Sequence, residues 1–218
     1  MKMTNLIISL IVSASVVLSA LAQGTFQNLN FELANPGQYS SFNVPVSDAL
    51  PDWTVTIGGV QQAYVGYNAF STGAPAVVLI GPGYGPIDGS YSVLLTATGA
   101  TASISQTGLI RAGMQSLYFE AQPGIGGLEV LVGNQDIPFA AVGSGPNYTL
   151  YGANISAWGG DTEQLTFAAQ ESTSGLNNWE LDDISFSTQA VPEPSSLALT
   201  GLGALLFALY RRFGPKRP

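Results

Sequence analysis

Short segments of alternating apolar and polar residues recur through the interior of this 218-residue chain. The alternation is clear at residues 53–57, 102–105, 115–120 and 164–167. A period of two is typical of β-strands with one buried and one solvent-facing side. Glycine-rich turns separate these segments, and no window between residues 23 and 190 keeps the spacing of an amphipathic helix for three turns. The pattern therefore predicts an all-β fold, an antiparallel β-sandwich of the jelly-roll type over residues 23–187.

The amino end has a different pattern. Lys2 precedes an apolar run over residues 6–18 that only serines interrupt, and Ala20-Leu21-Ala22 follows. A basic start, an apolar centre and a small-x-small end are typical of a secretory signal peptide. We expect residues 1–22 to form that peptide as a helix, with signal peptidase cleaving before Gln23. An uncleaved amino-terminal anchor is the alternative.

The carboxyl end carries a second apolar run, residues 197–210, after a linker at residues 188–196. Extended to Ser195, the run has sixteen residues, about 24 Å of helix against a hydrocarbon core of roughly 30 Å. Four of the six basic residues of the chain lie in the tail at residues 211–218, so the positive-inside rule places that tail in the cytoplasm. The sequence predicts a short transmembrane helix that serves as a temporary anchor, with an ordinary single-pass anchor as the alternative.

Composition excludes several kinds of chemistry. The chain has no cysteine and no histidine, which removes disulfides, thiolate nucleophiles and the usual general base and zinc ligand. Between residues 23 and 190, Arg111 is the one basic residue beside thirteen acids, a net charge near −12. Such a body repels phosphate backbones, so nucleic acid is not an expected partner. Carboxylates that lie close together would need another cation, and calcium, with its preference for oxygen ligands, is the expected one. The alternative is that the acids are scattered over a solvated surface.

One segment near the end of the body places acids within a strand pattern. Residues 181–186 read Leu-Asp-Asp-Ile-Ser-Phe, and strict alternation puts Asp182 on the same face as Ile184 and Phe186. An unpaired carboxylate on a buried face is costly. Three interpretations remain open: a β-bulge at the two aspartates, a cation beside the inward one, or an edge strand with both side chains in water.

The tail resembles a known sorting signal. Residues 191–196 read Val-Pro-Glu-Pro-Ser-Ser, and a Gly/Leu/Ala-rich span and an arginine pair follow. This arrangement resembles the PEP-CTERM signal of Gram-negative bacteria that make exopolysaccharide. The resemblance implies that a membrane-embedded exosortase processes the tail after transient anchoring in the inner membrane. The body would then reach the cell surface or the exopolysaccharide matrix. The motif residues are Pro192, Glu193, Pro194, Arg211 and Arg212.

The body resembles a second family. Residues 28–32 (Asn-Leu-Asn-Phe-Glu), 50–55 (Leu-Pro-Asp-Trp-Thr-Val) and 179–186 (Trp-Glu-Leu-Asp-Asp-Ile-Ser-Phe) are similar to segments of galactose-binding-like jelly rolls. These folds occur in carbohydrate-binding modules and in many PEP-CTERM proteins. The resemblance implies that the first and last strands lie close together and that a structural calcium is held between them. Its ligands here would be Glu32 and either Asp182 or Asp183.

Sugar rings stack on exposed aromatic side chains, so exposed tryptophan and tyrosine residues are candidate binding residues. Four such residues lie in turn or loop contexts: Trp158, Tyr64, Tyr67 and Tyr84. Packing in the core is the alternative for each of them, and Trp53 and Trp179, within strand patterns, are expected in the core.

We therefore expect a non-catalytic exported protein whose sandwich binds carbohydrate, with exopolysaccharide as its partner. A purely structural or adhesive matrix protein that self-associates through calcium is the first alternative. The second is a glycoside hydrolase or lyase that uses two carboxylates about 5–9.5 Å apart. For that reading the candidate pairs are Glu120 with Glu129 and Asp161 with Glu163.

Overall fold

The computed structural model describes residues 25–37, 39, 43–69, 74–171 and 177–191. Within these residues, strands alternate with turns, and the helices are one turn each, α1 at Val46–Ala49 and a 3-10 helix at Ser156–Trp158. The strands are β1 Val44–Pro45, β2 Thr54–Ile57, β3 Val60–Gln61, β4 Tyr64–Tyr67, β5 Ala76–Ile80, β6 Ser92–Ala97, β7 Ala102–Leu109, β8 Ser116–Pro123, β9 Leu128–Val132, β10 Gln135–Asp136, β11 Phe139–Ser144, β12 Thr149–Asn154, β13 Thr162–Ala169 and β14 Asn177–Ser187. The four segments with a period of two all lie in strands, so the all-β prediction is confirmed.

The described strands form two sheets. Eight strands pair in the order β1-β4-β5-β6-β14-β8-β12-β11, and six pair in the order β10-β9-β13-β7-β2-β3. The sheets meet through their apolar sides: the ring of Phe119 on β8 packs edge-on against Phe167 on β13, with centroids 5.2 Å apart. One face of each sheet is thereby buried, as the alternation predicts.

One strand pair departs from the antiparallel prediction. β4 and β5 are parallel, with Gly66 opposite Val78 and Tyr67 opposite Leu79. The two strands do not form a hairpin, because they run in the same direction. Alternation along each strand is the same in parallel and antiparallel pairs, so the sequence pattern carries no signal of this difference.

The first segment of the described chain, residues 25–37, packs against both sheets. Its Phe31 is fully buried against Trp53, and the Trp53 indole N–H donates to the Asn28 carbonyl oxygen at 2.9 Å. The N–H of Ile184 on β14 donates to the carbonyl oxygen of Leu29 at 2.9 Å. The first and last parts of the body therefore lie side by side, as the resemblance of residues 28–32 and 179–186 implied.

Candidate functional site

A β-bulge in β14 determines where the two adjacent aspartates point. β14 lies between β6 and β8 in the interior of the eight-stranded sheet, and its register with β8 shifts between Asp182 and Ser185. Asp183 has a positive φ of 42°. The shift lets Leu181 and Ile184 both face the core, while Asp182 turns to the opposite side of the sheet. Of the three interpretations of this segment, the bulge is the one observed, and the edge-strand interpretation is wrong because β14 is paired on both sides.

Although Asp182 points away from the core, water does not reach it. The residue is 1% exposed. Its Oδ2 accepts the N–H of Asp88 at 3.1 Å and its Oδ1 accepts the N–H of Asp183 at 2.8 Å. Burial raises the pKa of Asp182 to about 8, and the charges of Asp183 and Glu120 contribute to the rise, while the two N–H donors act against it. The site therefore disfavours a lone negative charge on Asp182.

Glu120 on β8 is the cross-strand neighbour of Asp182. It is 8% exposed, and its Oε2 is buried without a hydrogen-bond partner. Burial raises the pKa of Glu120, a hydrogen bond from Tyr148 lowers it, and the charges of Asp183 and Asp88 raise it again. Two neighbouring carboxyl groups are thus both short of compensating positive charge, which favours a bound proton or cation at this pair.

Glu32 lies at the other side of the loop that reaches Asp182. Its Oε1 accepts the N–H groups of Ser90 and Tyr91 at 2.7 and 2.9 Å. The loop comes this close because Gly89 has no Cβ; a Cβ there would collide with the Glu32 carboxylate. Glu32 and Asp182 therefore hold opposite ends of one short loop, residues 88–91, through backbone N–H groups.

The acidic residues named as calcium ligands are thus near one another, but they do not form a ready-made cage. In the part of the chain that the structure describes, no three acidic side chains converge as a metal-binding group. We call Asp182, the exposed Asp183 and the buried Glu120 the acidic cluster. Glu32 lies outside it, because its carboxylate accepts backbone N–H groups of the loop at residues 88–91. Glu120 is the member that sequence reasoning missed, because its proximity to Asp182 depends on strand pairing.

The four aromatic candidates separate into two pairs. Trp158 and Tyr67 are partly buried and pack against the core, and the Tyr67 ring lies over Gly81. Tyr64 and Tyr84 are 57% and 52% exposed. The register of β4 and β5 places Tyr64 at one end of that pair, and Tyr84 follows β5 at the other end. The four side chains therefore do not form one platform.

A different tyrosine lies within electrostatic range of Tyr64. Tyr39 is 45% exposed, and its hydroxyl donates to Oδ2 of Asp48 at 2.7 Å. This hydrogen bond raises the pKa of Tyr39, and Tyr64 is close enough to add an electrostatic contribution in the same direction. Tyr39, Tyr64 and Asp48 form what we call the tyrosine patch, at the β1–β4 edge of the sheet. No sequence pattern singles out Tyr39, which lies within a polar stretch far from Tyr64 in the chain.

The two carboxylate pairs considered for hydrolysis have different geometries. Glu120 is on the eight-stranded sheet and Glu129 is on the six-stranded sheet, and each alternates with core residues, so both point outward on opposite sides of the sandwich. They cannot flank one glycosidic bond. Asp161 and Glu163 lie two residues apart at the start of β13, where Glu163 approaches Gly133.

Both chain ends extend outside the described residues. The signal peptide with its cleavage residues Ala20, Ala22 and Gln23 is outside them, and so are the sorting motif from Pro192 to Arg212 and the expected membrane span. Among the residues that are described, no helix is both long and apolar enough to cross a membrane.

Residues 190–212 match the family model of the PEP-CTERM protein-sorting motif. The motif marks the chain as an exported, surface-sorted protein with a carboxyl-terminal anchor that exosortase processes. No curated protein matches the chain in sequence.

Several solved structures resemble the sandwich at low sequence identity. One is TmCBM61 in complex with β-1,4-galactotriose, at 14% identity and a TM-score of 0.43, covering 77% of this chain and 100% of the other. The family 11 carbohydrate-binding module of Clostridium thermocellum, in complex with a mixed-linked tetrasaccharide, shares 8% identity at a TM-score of 0.32, with 72% and 100% covered. The enzymatically active domain of tailspike protein 4 of bacteriophage CBA120 shares 15% identity at a TM-score of 0.43. That match covers 75% of this chain but spans only 21% of the tailspike chain.

Proposed function

We propose that this PEP-CTERM-sorted chain is a non-catalytic protein of the exopolysaccharide matrix of a Gram-negative-type cell, and that its sandwich binds neutral carbohydrate at the tyrosine patch. The sorting motif supports export to the surface. The net charge of the body, near −12, disfavours acidic polysaccharide as a direct ligand because like charges repel.

The exposure of both Tyr64 and Tyr39 is the observation that carries this proposal. Aromatic rings are normally buried in a sandwich of this size, and each exposed ring leaves apolar surface in water. The apolar C–H face of a sugar ring can cover that surface, while the Asp48 carboxylate and the tyrosine hydroxyls bond to sugar hydroxyl groups. The patch thus offers both kinds of contact that a saccharide requires.

Retention of the exported protein on purified neutral matrix polysaccharide tests this function. We expect Tyr64→Ala to weaken retention about tenfold, a loss of roughly 1.4 kcal/mol. Val60→Ala is the matched control, since Val60 is 64% exposed but lies on β3, outside the patch. Trp158→Ala should leave retention unchanged and lower stability, because Trp158 packs against the core.

The two alternatives give different results in the same experiment. Calcium-dependent oligomerisation without any retention on polysaccharide would favour a structural or adhesive role. Release of oligosaccharides from the polysaccharide would show an enzyme. Equal retention of Tyr64→Ala and Val60→Ala would remove the tyrosine patch as the binding site.

We also propose that a structural calcium ion binds at the acidic cluster, beside the carboxyl groups of Asp182 and Glu120. The buried, unpartnered Oε2 of Glu120 beside the buried Asp182 supports this proposal. Calcium takes backbone carbonyls and water as well as carboxylates, so two or three acidic side chains can suffice. Thermal unfolding with and without calcium, for the wild type and Asp182→Asn, distinguishes a bound cation from a bound proton.

A further inference from the structure

A cleft of about 220 Å³ opens at the end of the sandwich where both ends of the described chain leave the body. Its lining includes the apolar side chains of Phe26, Leu29, Leu109, Met114 and Phe186. The rings of Phe26 and Phe186, from the first and last segments, stack with centroids 5.1 Å apart. This end of the molecule is therefore more apolar than its strongly acidic composition suggests.

Arg111 also lines this cleft. It is exposed, and it makes no ion pair or hydrogen bond through its side chain with any residue that the structure describes. Thirteen acids lie between residues 23 and 190, and this is the one basic residue among them. Because the Arg111 guanidinium pairs with none of the described carboxylates, it is available to bind an anionic group from outside the chain.

The start of the tail is held against the body near this cleft. The backbone N–H of Gln115 donates to the carbonyl oxygen of Ser187, and its Nε2 donates to that of Thr188, both at 2.8 Å. Val191 then approaches Gly152, where an added Cβ would lie 3.2 Å from the valine Cγ1. The last four described residues therefore do not act as a free spacer.

This attachment limits how far the body can stand from the membrane. Five residues separate Val191 from Leu197, the first residue of the apolar run. Even a fully extended chain of that length reaches only roughly 20 Å. While the tail is intact, the end of the sandwich that carries the cleft must stay within that distance of the bilayer.

We propose that this end of the sandwich docks on the phospholipid headgroups of the membrane that anchors the tail. Arg111 binds a lipid phosphate, and the apolar lining of the cleft receives the glycerol and upper acyl region. Tethering makes this contact effectively intramolecular, so a single phosphate contact suffices although the acidic body as a whole is repelled by an anionic surface. Asp161, whose carbonyl oxygen accepts the N–H of Ile110 beside Arg111, adds a negative charge at this end and opposes the contact.

The absence of cysteine allows a direct test on the full chain, anchored through its intact tail in vesicles of phosphatidylethanolamine and phosphatidylglycerol. Single variants Ala112→Cys and Val60→Cys carry a polarity-sensitive fluorophore, and nitroxide-labelled lipid serves as the quencher. Both positions are exposed. Ala112 adjoins Arg111, whereas Val60 pairs with Ile57 and thus lies at the opposite end of β7, about 23 Å away.

We expect the label at position 112 to be quenched several-fold more strongly than the label at position 60. Arg111→Glu should reduce quenching at position 112 to the level of position 60, Arg111→Lys should keep most of it, and Asp161→Asn should increase it. Equal quenching at the two positions, or no effect of Arg111→Glu in a protein with an unchanged circular dichroism spectrum, would overturn the proposal. Retention on polysaccharide should be the same for Arg111→Glu and the wild type, so the failure of one proposal leaves the other intact.

Discussion

At the residue scale, Asp182 is the acidic side chain with the smallest exposed fraction among the described residues. It is almost fully buried, it accepts two backbone N–H groups, and Glu120 is its neighbour across the strand pair. The N–H donors stabilise a carboxylate, but burial and the nearby acids outweigh them, and the pKa of Asp182 rises to about 8. Without a cation, the folded protein therefore holds a proton that the unfolded chain releases at much lower pH.

This difference predicts how stability depends on pH in the absence of calcium. The native state binds more protons than the unfolded state between about pH 4 and pH 8, so the free energy of unfolding should fall as the pH rises through that window. The loss is at most about 6 kcal/mol, since each unit of pKa difference corresponds to about 1.4 kcal/mol. Chemical unfolding in the presence of a chelator measures it.

Asp182→Asn should give a shallower profile, because the amide has no proton to lose. It should be less stable than the wild type near pH 4, where one hydrogen-bond acceptor is missing, and more stable near pH 8. Calcium should restore the wild type at pH 8 and leave the variant unchanged. Asp136→Asn, at an exposed position on β10, is the control and should follow the wild type. An unaltered slope in Asp182→Asn would contradict the assignment.

At the element scale, the bulge in β14 and the loop at residues 88–91 form one unit. The bulge directs Asp182 toward the backbone of Asp88, while Glu32 accepts the N–H groups of Ser90 and Tyr91. Two carboxylates from distant parts of the sequence thereby satisfy backbone donors that the loop could not satisfy within itself. The close approach at Gly89 is what makes this arrangement possible.

A pair of glycine substitutions isolates the contribution of that close approach. Gly89 and Gly99 both have a positive φ, 56° and 74°, but only Gly89 has a neighbour within 4 Å, the Glu32 carboxylate. Gly99→Ala should cost only the strain of the left-handed backbone, about 1 kcal/mol. Gly89→Ala should cost about 1–3 kcal/mol more, because the Glu32 hydrogen bonds are also disrupted. Equal losses in the free energy of unfolding would show that the Glu32 contacts contribute nothing.

At the scale of the whole molecule, a sandwich without cysteine or histidine precedes the sorting motif at the carboxyl end. The sorting motif at residues 190–212 begins where the structure still holds the chain against β12. The motif therefore begins within a few residues of the surface of the folded body. Disruption of the motif should leave the body folded and only its processing impaired.

The double substitution Pro192→Ala and Pro194→Ala should block processing. We expect the exported protein to keep residues 192–218 and to remain in the membrane fraction, whereas the wild type loses its tail. Mass spectrometry of the two products measures this difference and also locates both cleavage sites. Pro82→Ala, a loop proline of the body, is the matched control and should be processed normally. Removal of the tail from the double variant would show that the protease does not require these prolines.

Local patterns by themselves determined the strands, the sorting motif and the acidity of the body. Alternation along residues 102–105 or 164–167 is a property of a single strand, and a sorting motif must be readable without a fold, so neither depends on distant residues. The same patterns placed Asp182 and Asp183 in a strand and left open how that strand accommodates them.

Only the tertiary structure decided which side chains meet. Asp182 and Glu120 are 62 positions apart, and Tyr39 and Tyr64 are separated by three strands and a helix, so their proximity depends on sheet order and register. The bulge and the parallel pairing of β4 with β5 likewise follow from packing between elements. Alternation specifies which face of the sheet a side chain occupies but not its neighbour across the strand pair. The same alternating pattern is compatible with many strand pairings, and the sheet topology determines which one forms.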